Sequence, residues 1–191
     1  MEIELINVSK QFKDKKVLEN ISFKIIDETL VISGESGKGK TTLIRLISLL
    51  DKPTSGEIKF SIDKKKMRIG FVFQENRLSE NFNAIENVRM ILNDKTITNN
   101  DIIKELTNLL PEEDLFKKVS EFSGGMKRRL CIVMAIMSNP DYYIMDEPFA
   151  GLDEVTTLKV VNYIKEKTKG KILILAIHKN DYFKGVKEIS V

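Results

Sequence analysis

The sequence predicts an α/β protein with a mainly parallel, buried β-sheet, an N-terminal antiparallel β subdomain and an inserted helical subdomain. Short strands rich in Ile and Val alternate with helices at both ends of the chain. A glycine-rich turn, GESGKGKT, lies between a strand and a helix, and a polar helical stretch interrupts the alternation from about Glu75. We therefore expect one domain over 1–191, with 1–74 and 140–191 as core and about 75–139 as the helical subdomain.

The composition is that of an ordinary globular protein, with 42% hydrophobic and 31% charged residues. Lys and Arg number 31 against 28 acidic residues, and this balance does not favour a nucleic-acid partner. The single cysteine, Cys131, excludes an internal disulfide and is typical of a reducing compartment. Apolar runs stay shorter than the roughly 18 residues that a membrane helix needs, so we expect a soluble chain.

The first third of the chain is predicted to contain three strands and a helix. The segments IELINV, ISFKII and TLVIS have strand composition and are separated by charged turns. The segment TTLIRLISLL follows, with apolar residues at helical spacing (Leu43, Leu46, Ile47 and Leu50). Asp51, Pro53 and Gly56 end this helix, and EIKFSI and RIGFVF are predicted as the next strands.

The middle of the chain is predicted to be helical, and the last third returns to alternation. AIENVRMIL and DIIKELTNLL are the best helical segments, and Asp101 is the expected N-cap of the second. The strand YYIMD, the helix EVTTLKVVNYIKEKTK and the strand KILILAIH follow in order. This order predicts that the sheet resumes after the helical insertion.

The turn GESGKGKT, Gly34–Thr41, matches the phosphate-binding pattern G-x-x-x-x-G-K-[ST] in its strand–loop–helix context. Its glycines let successive backbone N–H groups point at phosphate oxygens, and the helix adds its positive N-terminal end. Lys40 is expected to reach the β- and γ-phosphates of ATP, and Thr41 to offer its hydroxyl to Mg²⁺. Lys38 either adds charge near the nucleotide or points outward. The predicted ATP-binding residues of this segment are Gly34, Glu35, Ser36, Gly37, Lys38, Gly39, Lys40, Thr41 and Thr42.

Two carboxylates follow the apolar strand in YYIMDEP, Tyr142 to Pro148. Ligands of open α/β sheets bind at the carboxyl ends of the strands. Asp146 is therefore expected to hold Mg²⁺ through its water shell, and Glu147 to polarise a water as general base. The alternative is a solvated acidic turn.

Four further motifs, and their order along the chain, resemble the pattern of one protein superfamily. EFSGGMKRRL is similar to the signature motif of the ABC (ATP-binding cassette) superfamily, FVFQENRL to its Q-loop, AGLD to its D-loop, and ILAIHKN to the strand end with its switch histidine. The chain resembles the nucleotide-binding domains of that superfamily over essentially its whole length. Phe122 and Met126 depart from the usual Leu-Ser-Gly-Gly-Gln, but the expected phosphate contacts use the serine and the glycines.

The resemblance implies roles for residues that spacing does not assign. Two domains would pack head to tail around two ATP, with Ser123, Gly124 and Gly125 of each closing over the nucleotide of the other. Gln74 is expected near the metal and the reacting water, and His178 in catalysis. Asp153 would belong to the nucleotide site. Phe12 would stack on adenine, although an apolar hairpin residue is the competing interpretation.

The resemblance also implies a partner. The leading hypothesis is the ATPase subunit of an ABC transporter. We expect a second, identical nucleotide-binding subunit and a membrane permease that docks near Gln74–Leu92. Such a subunit would be cytoplasmic and peripheral on the inner face of the cell membrane. The alternative is a soluble ABC ATPase such as a sulfur-cluster assembly factor. The segment after His178 is shorter than in many relatives, so we expect a minimal ATPase without a C-terminal regulatory domain.

Overall fold

The computed structural model describes residues 1–13, 15–35, 37–178 and 180–191. The chain divides into two compact units. The first unit comprises 1–69, 141–147 and 170–191, and the second comprises 70–140 and 148–169. The predicted helical segment 75–139 lies in the second unit, together with 148–169.

An antiparallel sheet forms the N-terminal part of the first unit. Its strands are β1 (Glu2–Phe12), β2 (Lys15–Ile26) and β4 (Ser55–Phe60), in the order β2-β1-β4. Ile3 and Leu5 of β1 are buried at alternate positions, because successive side chains of a strand point to opposite faces. Val8 is also buried, and a register shift between Leu5 and Val8 returns it to the buried face. The sheet thus buries one face on the core of the unit.

A parallel sheet forms the rest of the first unit. The strands β3 (Thr29–Ser33), β6 (Tyr142–Asp146), β7 (Ile172–Ala176) and β8 (Lys187–Ser190) follow the order β6-β7-β3-β8. Every residue of β6 and β7 is buried, as expected for strands covered on both faces. The short strand β5 (Ile69–Val72) begins where the two units divide.

The helix α1 (Lys40–Ile47) follows β3 through the glycine turn. It ends three residues before the predicted Leu50, because Leu49 adopts a left-handed φ of 60°. Its buried face contains Leu43, Ile44, Leu46 and Ile47. The first helical turn is thereby held at the carboxyl end of β3.

The second unit contains the helices α2 (Ala84–Ile91), α3 (Asn99–Leu106), α4 (Gly124–Met137) and α5 (Glu154–Lys167). The prediction that Asp101 caps α3 is wrong. Thr98 is the N-cap, and Asp101 is its partner three residues later, whose carboxylate accepts the Thr98 N–H at 2.8 Å. This reciprocal pair satisfies two helix-end groups instead of one.

The observed elements confirm the predicted α/β class, with its antiparallel N-terminal sheet, its mainly parallel sheet and its helical insertion. The strand β8 was not predicted, because KEIS is short, charged and largely exposed. None of the helices in the described part of the chain is both long enough and apolar enough to cross a bilayer.

Candidate functional site

The glycine turn of the first unit has a backbone that only glycine adopts easily. Gly34, Gly37 and Gly39 have φ angles of 145°, 79° and 118°. A Cβ atom on Gly39 would lie 2.9 Å from Leu18 Cδ2 and 3.1 Å from the carbonyl oxygen of Val17. The turn therefore keeps its curvature and its inward-facing amides only with glycine at this position. The predicted contact of Ser36 lies outside the described residues.

Lys40 begins α1 and is almost wholly buried, with 5% of its surface exposed. Its ammonium donates to the carbonyl oxygens of Gly34, at 2.6 Å, and of Glu35, at 3.0 Å. These bonds hold one positive charge inside the loop, at the positive end of the helix. The arrangement suits a polyphosphate chain.

Lys38 differs from Lys40 in its surroundings. Its ammonium lies 3.9 Å from Glu35 Oε2, and the two side chains are 60% and 85% exposed. An exposed pair at this distance contributes little stability. The side chain is thus largely exposed, and its addition of charge near the nucleotide stays a prediction.

Thr41 and Asp146 meet although 105 residues separate them in sequence. The Thr41 hydroxyl donates to Asp146 Oδ2 at 3.0 Å, and Asp146, the last residue of β6, is 3% exposed. A hydroxyl and a carboxylate beside a phosphate loop are the hard oxygen ligands that Mg²⁺ prefers. The donor set therefore fits Mg²⁺.

Glu147 and His178 form a second pair at the same end of the sheet. His178 Nε2 lies 3.1 Å from Glu147 Oε1, and the two side chains are 54% and 19% exposed. Glu147 has a left-handed φ of 50°, and its N–H donates to the carbonyl oxygen of Ala176 at 2.9 Å. Such a φ costs of order 1–3 kcal/mol in a residue with a side chain, and it is held by the end of β7. The pair brings a carboxylate and an imidazole together at the carboxyl ends of β6 and β7.

Phe12 ends β1 and is 47% exposed. The Lys10 ammonium lies 4.8 Å from the centre of its ring, within cation–π distance. Lys10 also pairs with Asp51 at 2.8 Å, and this hydrogen bond lowers the pKa of Asp51. The ring is therefore anchored at one side and accessible to a stacking partner.

The signature segment lies in the second unit and starts α4. Ser123 is the N-cap, and its hydroxyl accepts the Met126 N–H at 3.2 Å. Gly124 and Gly125 follow as the first helical residues. A Cβ atom on Gly124 would meet open space, whereas one on Gly125 would lie 3.2 Å from Leu152 Cδ2.

A pocket of about 470 Å³ opens beside the signature segment. The residue that the sequence assigned from the D-loop, Asp153, lies in it, but its carboxylate also caps α5. It accepts the Thr156 N–H at 2.9 Å and the Thr156 hydroxyl at 2.7 Å, and these bonds lower the pKa of Asp153. The lining residues are Asn76, Ser123, Gly124, Gly125, Arg128, Arg129, Ala150, Gly151, Leu152, Asp153 and Thr156.

Sequence reasoning missed four polar residues of this pocket: Asn76, Arg128, Arg129 and Thr156. The motif EFSGGMKRRL contains both arginines, but the expected phosphate contacts used only its serine and its glycines. The available signal was helical spacing, because Arg128 and Arg129 lie four residues beyond Gly124 and Gly125, and residues four positions apart are neighbours on a helix surface. Asn76 had no comparable signal, since it lies in an irregular segment.

Gln74 belongs to the second unit, whereas Thr41 and Asp146 belong to the first. The carbonyl oxygen of Gln74 accepts a hydrogen bond from Arg128 Nη2. The predicted metal-ligand set thus contains one pair in direct contact and a third residue from the other unit. The third ligand stays a prediction.

Known proteins are similar to this chain along most of its length. The family model described as ABC transporter matches residues 18–150. The phosphonates import ATP-binding protein PhnC of Treponema denticola is 37% identical, over 93% of this chain and 80% of that protein. The lipoprotein-releasing system ATP-binding protein LolD of Buchnera aphidicola is 36% identical, over 86% and 81%. A dimeric ATP-binding cassette solved in a post-hydrolysis state with ADP and phosphate has a TM-score of 0.84 and 27% identity, covering 99% and 94%.

The chain belongs to the ABC transporter family. It is an ATP-binding subunit of an ABC transporter, and its activity is ATP hydrolysis. These similarities favour the transporter hypothesis over a soluble sulfur-cluster assembly factor.

Proposed function

We propose that this chain hydrolyses ATP in a head-to-tail dimer around two ATP, and that the cycle drives solute transport through a separate permease subunit. The observation that carries the proposal is the convergence of two pairs, Thr41–Asp146 and Glu147–His178, at the carboxyl end of the sheet that bears the phosphate loop. The signature segment in the second unit supplies the other half of a composite site. The chain therefore carries one copy of each half-site.

In the first half-site, the loop amides and Lys40 would bind the phosphates of ATP. Thr41 and Asp146, with Gln74, would hold Mg²⁺, which neutralises phosphate charge when bound. Phe12 would stack on the adenine ring from its exposed position at the end of β1. Lys40 then exchanges its two loop carbonyls for phosphate oxygens.

Glu147 would act as the general base in this site. Its carboxylate would take a proton from the water that attacks the γ-phosphorus, and ADP would leave with the bridging oxygen. His178 touches the same carboxylate, so it would orient Glu147 and stabilise charge on the γ-phosphate. Most of the rate enhancement would come from positioning and charge.

In the second half-site, Ser123, Gly124 and Gly125 would contact the γ-phosphate bound to the other subunit. The start of α4 carries a partial positive charge, and the Ser123 hydroxyl adds a donor. Asp153 would contribute from the same pocket while it caps α5. A symmetric pair of identical subunits would complete two such sites.

The permease would dock on the surface formed by Gln74–Leu92. This segment exposes three large apolar side chains, Phe82 at 45%, Met90 at 53% and Ile91 at 37%. An antiparallel bridge between Asn83 and Lys118 adds Phe116, which is 64% exposed and was not foreseen. Grouped apolar side chains of this kind are typical of protein interfaces. Docking there would place the subunit on the cytoplasmic face of the cell membrane.

The test is the Glu147→Gln variant. We expect kcat to fall by roughly 10²–10⁴-fold, because the general base is lost, while Mg-ATP still binds. The same variant should be a monomer without ATP and a dimer with Mg-ATP in sedimentation experiments. Glu166→Gln, at an exposed carboxylate of α5, is the matched control and should hydrolyse ATP like the wild type. Wild-type turnover of Glu147→Gln would contradict the proposal.

A further inference from the structure

The irregular segment Phe73–Arg77, the Q-segment, obtains backbone hydrogen bonds from α4. Arg128 Nη1 donates to the carbonyl oxygen of Phe73 at 2.5 Å, and Arg128 Nη2 donates to the carbonyl oxygen of Gln74. Arg128 is 5% exposed. Backbone groups outside regular structure need such partners when they are buried. One side chain therefore binds two consecutive backbone carbonyls, those of Phe73 and Gln74.

A second contact fixes the same segment one helical turn further along α4. The Cys131 thiol lies 3.8 Å from Asn76 Oδ1. Residues 128 and 131 share a face of the helix, because they are three positions apart. The Arg77 guanidinium in turn lies 3.7 Å from the centre of the Phe73 ring. The Q-segment thus contacts one face of α4 at Phe73, Gln74 and Asn76.

The neighbouring cations of the run Lys127–Arg129 make other contacts. Lys127 pairs with Glu80 at 2.6 Å. Arg129 donates to the carbonyl oxygens of Leu109, at 2.6 Å, and of Gly125, at 3.2 Å. The run is therefore not a uniform basic patch: each cation has its own target, and Arg128 is directed at the Q-segment.

The chemistry of this contact requires arginine. A guanidinium presents several N–H donors in a rigid plane and stays charged, whereas a lysine ammonium is a point charge on a flexible chain. A buried guanidinium is costly unless oxygen atoms surround it, so Arg128 resists separation from the two carbonyls. Arg128 is also the fifth residue of α4, one turn from the Ser123 cap. A shift of the Q-segment consequently displaces the start of α4.

We propose that Arg128 is a positioning residue that locks the Q-segment to the signature helix, so that the permease surface and the signature segment move as one body. The inference rests on the proposed function, since it presumes a permease at Gln74–Leu92 and a second nucleotide at Ser123. Permease docking then reaches the second copy's nucleotide through α4, to which the buried Arg128 guanidinium ties the backbone of the Q-segment.

The first experiment is hydrogen exchange on the nucleotide-free protein, which involves neither Mg²⁺ nor turnover. In Arg128→Gln, amides of 74–78 should exchange about 10–100-fold faster, because charge-assisted bonds that restrain local opening are lost. Amides of α1 should be unaffected. Lys127→Gln, at a cation on the same helix with another partner, is the matched control. Unchanged exchange at 74–78 in Arg128→Gln would overturn the proposal.

The second experiment separates positioning from general stability. Arg128→Gln should lower kcat about tenfold with an unchanged Kd for ATP, since misplacement affects the reacting geometry more than binding. The loss should vanish in a Gln74→Ala background, because the two residues would act through one segment. Multiplying losses in the double variant would overturn the proposal.

Arg128→Lys serves if Arg128→Gln does not fold, and it should give an intermediate exchange rate with one donor restored. If the amides of Arg128→Lys exchange at the wild-type rate and kcat is unchanged, the contact does not require a guanidinium. The proposed function fails separately, through Glu147→Gln. If Glu147→Gln hydrolyses ATP at the normal rate while Arg128→Gln exchanges its 74–78 amides rapidly, Glu147 is not the general base. The role of Arg128 in positioning the Q-segment is then still supported.

Discussion

The helices α1 and α4 both begin next to glycine, but they differ in whether a side chain accepts hydrogen bonds from their first N–H groups. At α1, the residue before the helix is Gly39 at a φ of 118°, and among the described residues no side chain accepts the first helical amides. At α4, the Ser123 hydroxyl accepts the Met126 N–H. The first amides of α1 are therefore left without a side-chain acceptor, whereas those of α4 are already capped by Ser123.

The same contrast appears in the space around the glycines. A Cβ atom on Gly39 collides with Leu18 and Val17, but one on Gly124 meets nothing within 4 Å. The first loop is thus shaped by its own unit. The second segment is open at Gly124, although Gly125 lies close to Leu152.

Gly39→Ala tests this difference between the two helix starts and should have the largest effect, a loss of ATP affinity. The new Cβ is strained by both the positive φ and the contact with Leu18, so the loop must shift away from its phosphate-binding curvature. We expect the Kd for ATP to rise about 100-fold, roughly 2.7 kcal/mol, in calorimetric titration. Gly124→Ala is the control and should bind ATP like the wild type in the monomer. Equal affinity of the two variants would mean that the crowding at Gly39 has no consequence for the loop.

Ser123→Ala should have a smaller effect, on stability. Removal of an N-cap hydroxyl costs about 1 kcal/mol, which lowers Tm by about 2–4 °C in a chain of this size. Ser123→Thr keeps a capping hydroxyl and should retain most of the Tm in differential scanning calorimetry. If Ser123→Ala melts at the wild-type temperature, the cap does not stabilise α4, and the contrast between the two helix starts is lost.

The last prediction concerns the reactivity of the Cys131 thiol and involves no change in stability or in ATP binding. Burial beside the Q-segment raises the pKa of its thiol from 9.0 to about 11. The thiolate form is therefore suppressed in the folded protein until pH exceeds about 11, whereas the unfolded thiol ionises around 9. At pH 9 we expect iodoacetamide to label the native protein about 100-fold more slowly than the denatured one.

The experiment with Cys131 is unambiguous because the chain has one cysteine. Arg128→Gln should accelerate the labelling if the Q-segment detaches from α4, and Lys127→Gln should not. Equal labelling of native and denatured wild-type protein at pH 9 would contradict the burial of this face.

Local patterns predicted much of the fold and part of the site. Apolar periodicity placed most strands and helices, because it reports which face of an element is buried. Glycine at Gly34, Gly37 and Gly39 indicated the phosphate loop, because those dihedral angles belong to nearly no other residue. The strand β8 and the cap of α3 escaped, since the first lacks apolar alternation and the second depends on which of two neighbouring side chains takes the cap.

The sequence by itself determined the class of protein, the phosphate loop and the acidic strand end, because each depends on residues within a few positions of one another. Only the tertiary structure decided that Thr41 meets Asp146, that His178 meets Glu147, and that Arg128 holds the carbonyls of Phe73 and Gln74. These contacts join residues 31 to 105 positions apart. They depend on strand order and helix packing, which residue spacing does not encode.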